Sequence, residues 1–253
     1  RPFGVDGTPG SPYTSGMGRL LLALLLAAAA RGARAADCAQ ARDWALSRSG
    51  VAPFPSSYRE PARLLTKVQE RLAAANGLSL PNLCPVALLP MKEIAARGVA
   101  GTTSDGTAFQ FIVMPTALLR VRATSDAKLA FVLGRELNRL SSGTLAEATR
   151  LHMKLASSAY PGGSDIFRYQ QLETQADLAG LRYAKAAGYD LSDALGALRP
   201  GAPDVDPLYP LAQRFQAVRG SLDALDAVAP AAAPVAARDA AEQAVENVGL
   251  AEN

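Results

Sequence analysis

The chain has 253 residues, 49% of them hydrophobic and 19% charged, with 26 Lys and Arg against 23 Asp and Glu. The formal charge of +3 resides in the first 35 residues, where Arg1, Arg19, Arg31 and Arg34 face only Asp6; the remaining 218 residues carry 22 basic and 22 acidic side chains. A body with no net charge lacks the basic footprint of a nucleic-acid binder or of a protein adsorbed to anionic membranes, and it is long enough for one domain with a sizeable core.

Residues 1–16 precede the first Met and read as an over-extended or non-native leader. Residues 17–35 have the form of a secretory signal: Arg19, the apolar run 20–30, then Ala33-Arg34-Ala35 before Ala36. An uncleaved anchor is the alternative, although the run is short for a membrane span. Asp37 directly before Cys38 does not suit lipoprotein-type acylation. The expected location is therefore periplasmic or secreted. Cys38 and Cys84 are the only cysteines. In an exported chain an even pair reads as one disulfide, worth roughly 4 kcal/mol in the chain-entropy picture; two buried thiols are the alternative.

Residues 36–80 read as an N-terminal helical segment. It comprises a short helix around Trp44, a loop marked by Pro53 and Pro55, and a helix from Pro61 to Ala75 with Leu64, Leu65, Val68 and Leu72 on one face, stopped by Asn76-Gly77. Residues 81–226 form the expected main domain. Pro85–Leu89 is a short buried strand, and 99–103 and 108–113 flank Ser104-Asp105-Gly106 as a hairpin. A helix follows over 129–143, with Leu129, Val132, Leu133, Leu137 and Leu140 as its apolar stripe, Ser125 as its cap and Gly143 as its stop. Further helices are expected over 144–157, 166–187, 191–197 and 211–226, with a Pro-rich loop at 200–207. The Ala/Pro-rich tail 227–253 has little to bury.

Two patterns stand out. On the 129–143 helix Arg135 and Arg139 share a face, and Glu136 sits roughly 100° round from Arg135 at the edge of the apolar stripe. A carboxylate there is desolvated unless a cation meets it. On the 166–187 helix Glu173 and Asp177 are four residues apart and call for a shared cationic partner. His152, the single histidine, lies on the intervening helix and reads as a surface or hydrogen-bonded residue rather than as a metal ligand.

The stretch Leu129–Leu140 resembles the zinc-site helix of the HtpX and CAAX-prenyl-protease type metallopeptidases, in which H-E-x-x-H supplies two zinc ligands and a general base. Arg135-Glu136-Leu137-Asn138-Arg139 keeps the Glu and has Arg at both His positions. Glu173-Thr174-Gln175-Ala176-Asp177, 37 residues after Glu136, is similar to the family's E-x-x-A-D, whose Glu is the third zinc ligand and whose Asp orients the first-shell histidines. The run Gly188-Tyr189-Asp190 and the Tyr209-Pro210…Arg214 segment also resemble family stretches, the latter without its His. The resemblance covers roughly residues 62–222. It implies an α+β, zincin-like fold, mostly helical with a small sheet, and an edge strand near 109–113 along which extended substrate would lie.

It does not imply zinc catalysis in this chain. A guanidinium has no lone pair, one His cannot build a two-His site, and three carboxylates alone would suit at best a weak Ca²⁺ or Mg²⁺ site. No cofactor is therefore expected, zinc being the one that a retained activity would need. Arg135 and Arg139 are expected to fold into the metal position and bond the carboxylates of Glu173, Asp177 or Glu136. Three functions follow as alternatives: a pseudopeptidase holding an extended polypeptide or envelope protein, an active peptidase with a rearranged site around Glu136, and a closed-cleft interaction protein.

Overall fold

The computed structural model describes residues 38, 39, 43, 59–92, 94–160, 162–199, 206–222 and 225. The leader, the signal-like segment, Trp44 with most of its expected helix, most of the 200–207 loop and the Ala/Pro-rich tail lie outside them. In chain order the elements are α1 (Arg59–Ala75), β1 (Ala87–Leu89), β2 (Arg97–Thr102), β3 (Ala108–Pro115), α2 (Thr116–Val121), α3 (Asp126–Ser141), α4 (Leu145–Ala156), α5 (Gly163–Ala186), α6 (Leu191–Leu195) with a 3₁₀ turn over Gly196–Leu198, and α7 (Leu211–Arg219). The architecture is α+β, mostly helical, with one three-stranded sheet.

The central helix forms as its sequence dictates. Ser125 accepts a hydrogen bond from Lys128 N at the start of α3, Asp126 sits in the first turn, and Gly143 takes φ +72° just past the end. Leu129, Leu133 and Leu137 are fully buried, each contributing about 1.5–3 kcal/mol of burial. They pack with Leu65, Val68 and Leu72 of α1 and with Ile112 and Met114 of β3 in one core. The N-terminal segment from residue 59 therefore joins the main core. Helix α1 begins two residues before Pro61, whose missing N–H still falls among the unbonded amides of the first turn.

The sheet order is β1-β3-β2. Strand β3 pairs parallel with β1, Ala87 opposite Val113, and antiparallel with β2, Arg97 opposite Val113 and Thr102 opposite Ala108. Gly106 at φ +85° makes the connecting turn. Side chains alternate along β3: Ile112 and Met114 face the main core, while Phe109 and Phe111 join Cys84, Ala87 and Val99 on the other face. Cys38 covers that second face and is disulfide-bonded to Cys84, with Cα atoms 5.3 Å apart.

One expectation needs correction. The edge strand placed near 109–113 is interior. β2 takes one side of β3; on the other, Cys84 N donates to Gln110 O and Gln110 N to Asn82 O ahead of β1. The segment anchored by the disulfide thus fills the side where an added strand would lie, and β2 is the exposed flank. Residues 116–121, for which no element was expected, form a helix after the β3 terminus, Pro115.

Helices α3 and α5 cross at two glycines. A Cβ added at Gly180 would fall 2.8 Å from Phe131 O and 2.7 Å from Arg135 Cγ; one added at Gly134 would fall 3.1 Å from Gly180 Cα. Backbone contact at this point sets the axes close enough for charged side chains one and two turns away to meet. Gly180→Ala is therefore expected to destabilise the protein by about 1–3 kcal/mol in urea unfolding. Gly163→Ala, where an added Cβ meets nothing within 4 Å, should be near neutral.

Candidate functional site

The α3–α5 crossing brings the two acid- and arginine-bearing faces together and adds a third cation. Arg139 Nη1 donates to Glu136 Oε1 at 2.5 Å, and Arg139 Nη2 to Glu173 Oε1. Arg135 Nη2 donates to Glu173 Oε2 at 2.8 Å, and its Nε stands 2.5 Å from Asp177 Oδ1. Arg214, from α7, closes the series with a two-pronged pair to Asp177, Nη2 to Oδ1 at 2.6 Å and Nε to Oδ2 at 2.9 Å. The other end is tied to the sheet, where Gly98 N donates to Glu136 Oε2 at 2.8 Å. The result is an alternating string, Glu136–Arg139–Glu173–Arg135–Asp177–Arg214, across three helices.

Every carboxylate oxygen in the string is engaged. Glu136 is 1% exposed, Glu173 4% and Asp177 fully buried, so the arginines must offset the cost of removing these carboxylates from water. Burial opposes the charge on Glu173, but Arg139, Arg135 and Arg214 together outweigh it and hold its pKa at about 2. Burial likewise opposes Arg139, and Glu136 and Glu173 overcome it to raise its pKa. Arg135 goes the other way: burial and the nearby Arg214 pull it down despite Asp177 and Glu173. It also lies over the Phe131 ring, 5.8 Å from the centroid.

The expected meeting of Arg135 and Arg139 with Glu136, Glu173 and Asp177 is thus present, with one change in the count. Three acids face three arginines, because Arg214 binds Asp177 from α7. Two cations against three acids would have left a buried negative charge, and the third guanidinium removes it. Arg214 carried a sequence signal, its spacing from Tyr209-Pro210. Nothing in the sequence placed it on Asp177.

Beside the string lies a cavity of about 100 Å³ whose wall includes Arg97, Arg122, His152 and Tyr169. Tyr169 belongs to the same α5 face as Glu173 and Asp177, four residues earlier, a spacing that could have marked it. Its hydroxyl donates to Asp206 Oδ2 at 2.5 Å. With that proton committed, His152 Nδ1, 3.2 Å away, is the donor to Tyr169 Oη, which leaves the lone pair of a neutral ring on Nε2. Burial pushes the His152 pKa down; Asp206 opposes this and Arg97 adds to it. The expectation of a hydrogen-bonded histidine holds, and its position on a cavity wall is new.

As a chemical assembly the string is neutral, with every carboxylate oxygen engaged. A metal ion could enter only by displacing guanidinium groups from Glu136 or Glu173, and Arg offers no ligand atom in exchange. Glu136 has both oxygens bonded and none turned toward a free water position.

Because the Glu173 pKa is depressed when folded, the stability it contributes is present above about pH 4.5, its ordinary value, and is lost as pH falls toward 2. Urea unfolding at stepped pH is expected to show a steep loss of stability across that window. Glu173→Gln should lower stability at neutral pH and flatten the loss; an equally steep loss in the variant would assign the acid sensitivity elsewhere.

No family model matches this chain, and comparison with curated proteins and with solved structures gives no match either. The likeness to the metallopeptidases thus rests on the residues named above.

Proposed function

We propose that this chain is an exported, catalytically silent relative of the HtpX and CAAX-prenyl-protease type metallopeptidases that acts by binding a polypeptide or envelope protein. The observation that carries the reading is the place of the arginines. Arg135 and Arg139, at the motif's histidine positions, bond the Glu136 and Glu173 that would serve as base and third ligand. Ion pairs on the same two helix faces thus stand in for the metal–ligand bonds. The disulfide of Cys38 with Cys84 supports an oxidising compartment, in line with the signal-like segment.

Of the two binding modes, the closed-cleft one is favoured. β3 has neighbours on both sides, so a polypeptide cannot add along 109–113. Gly98, on the outer side of β2, already gives its N–H to Glu136. Among the described residues Phe167 and Tyr160, 62% and 93% exposed, are large side chains free to meet a partner.

The test joins a measurement on the native chain with a reversal. Purified full-length protein is expected to hold substoichiometric zinc and to leave casein uncut, with or without chelator. The combined substitutions Arg135→His and Arg139→His should then confer about one zinc per chain, since Glu173 lies within reach of both positions. Stoichiometric zinc with chelator-sensitive cleavage in the native chain would overturn the silent reading. A folded double variant that takes up no zinc would overturn the kinship.

A further inference from the structure

We infer that the cavity between β2, α4 and α5 is a binding site for a small oxyanion, a carboxylate or phosphate group. Five arginines reach its wall: Arg97, Arg122, Arg135, Arg139 and Arg214. Among the described residues two acids do, Glu173 and Asp206, and both are occupied. Arg135 and Arg139 take the two oxygens of Glu173, while Tyr169 Oη and Leu208 N take those of Asp206. Counting Glu136 and Asp177 in the layer behind, four carboxylates face five guanidiniums among the described residues.

That surplus has an address. Arg97, the first residue of β2, has no salt bridge or hydrogen bond from its side chain among the described residues, and its Nε is buried without a partner. Arg139 Nε is in the same condition. A half-buried guanidinium without an acceptor favours a bonding partner, and the paired oxygens of a carboxylate or phosphate are what its fork fits. A space of about 100 Å³ exceeds what one water needs and admits a group of four or five heavy atoms. Thr149 and His152 complete the wall with neutral polar groups. Burial, with Arg97 beside it, keeps His152 uncharged near neutral pH, so the selectivity for an anion comes from the arginines. The cavity shares Arg135, Arg139 and Glu173 with the motif faces, but it does not need the metallopeptidase reading, since the guanidinium without an acceptor, Arg97, and the α4 face lie outside the motif.

Calorimetric titration of the full chain with inorganic phosphate and, separately, with acetate, at an ionic strength matched with chloride, tests the inference. Saturable binding of at least one of the two is expected, weakened tenfold or more by Arg97→Ala. Acetate alone would assign the site to carboxylates, phosphate alone to phosphate groups. Because Arg97 holds nothing in place, Arg97→Ala should keep or raise Tm in chloride buffer. Absence of saturable binding by either anion, undiminished binding in the variant, or a Tm loss on the scale of a broken buried ion pair would each overturn the proposal.

Discussion

A row of six charges, five of them buried and Arg139 partly so, is the constraint on which this structure depends. Removing an ion from water costs several kcal/mol even after relaxation, and Glu136, Glu173 and Asp177 are all buried. The arrangement is tenable because the signs alternate and each carboxylate oxygen finds a donor. Arg139 spans Glu136 and Glu173, Arg135 spans Glu173 and Asp177, and Arg214 closes the end in a two-pronged pair. Each inner member serves two neighbours, so loss of one strands two others. Such a string specifies one mutual position of α3, α5 and α7 more sharply than apolar packing alone.

The glycine crossing makes the string possible. With Gly134 against Gly180 the two backbones touch, and the side chains at 135, 139, 173 and 177 bridge the gap by direct hydrogen bonds and an ion pair. A larger residue at the crossing would push the helices apart, and water would have to fill the charged seam. The sheet contributes at the far end, since Gly98 both donates to Glu136 and leaves room for Leu140. Backbone shape and charge pattern are therefore one design: close approach is required by the pairs and the pairs repay the desolvation that close approach imposes.

Much of this could be read from the chain. The 3.6-residue stripe from Leu129 to Leu140, the Ser125 cap and the Gly143 stop determine α3 with local chemistry alone. The Gly106 turn does the same for the hairpin. The facing of Arg135 and Arg139 toward Glu173 and Asp177 was legible through the resemblance to the two metallopeptidase motifs; four-residue spacing and opposite charge alone fit solvated helix edges equally well. What was not legible is long-range. The pairing of β3 on its second side depends on the segment tethered by Cys84, and an isolated apolar run such as 109–113 looks the same at an edge or in the centre. Arg214, Arg97 and Asp206 are each ordinary surface types in sequence, and only the assembled fold places them around Asp177 and the cavity. Burial of Tyr169 followed from its face, but its bonds to Asp206 and His152 needed the loop at 206–208 to return across α5.

The central claim is that Arg139 and Glu173 are energetically coupled because they form one link of a buried string. A double-mutant cycle with Arg139→Ala, Glu173→Ala and the two combined, measured by urea unfolding at neutral pH, reads that coupling directly. The account calls for an interaction energy of about 2–3 kcal/mol, at the upper end for residues in one network. A coupling under about 0.5 kcal/mol, as for distant, independent sites, would contradict it.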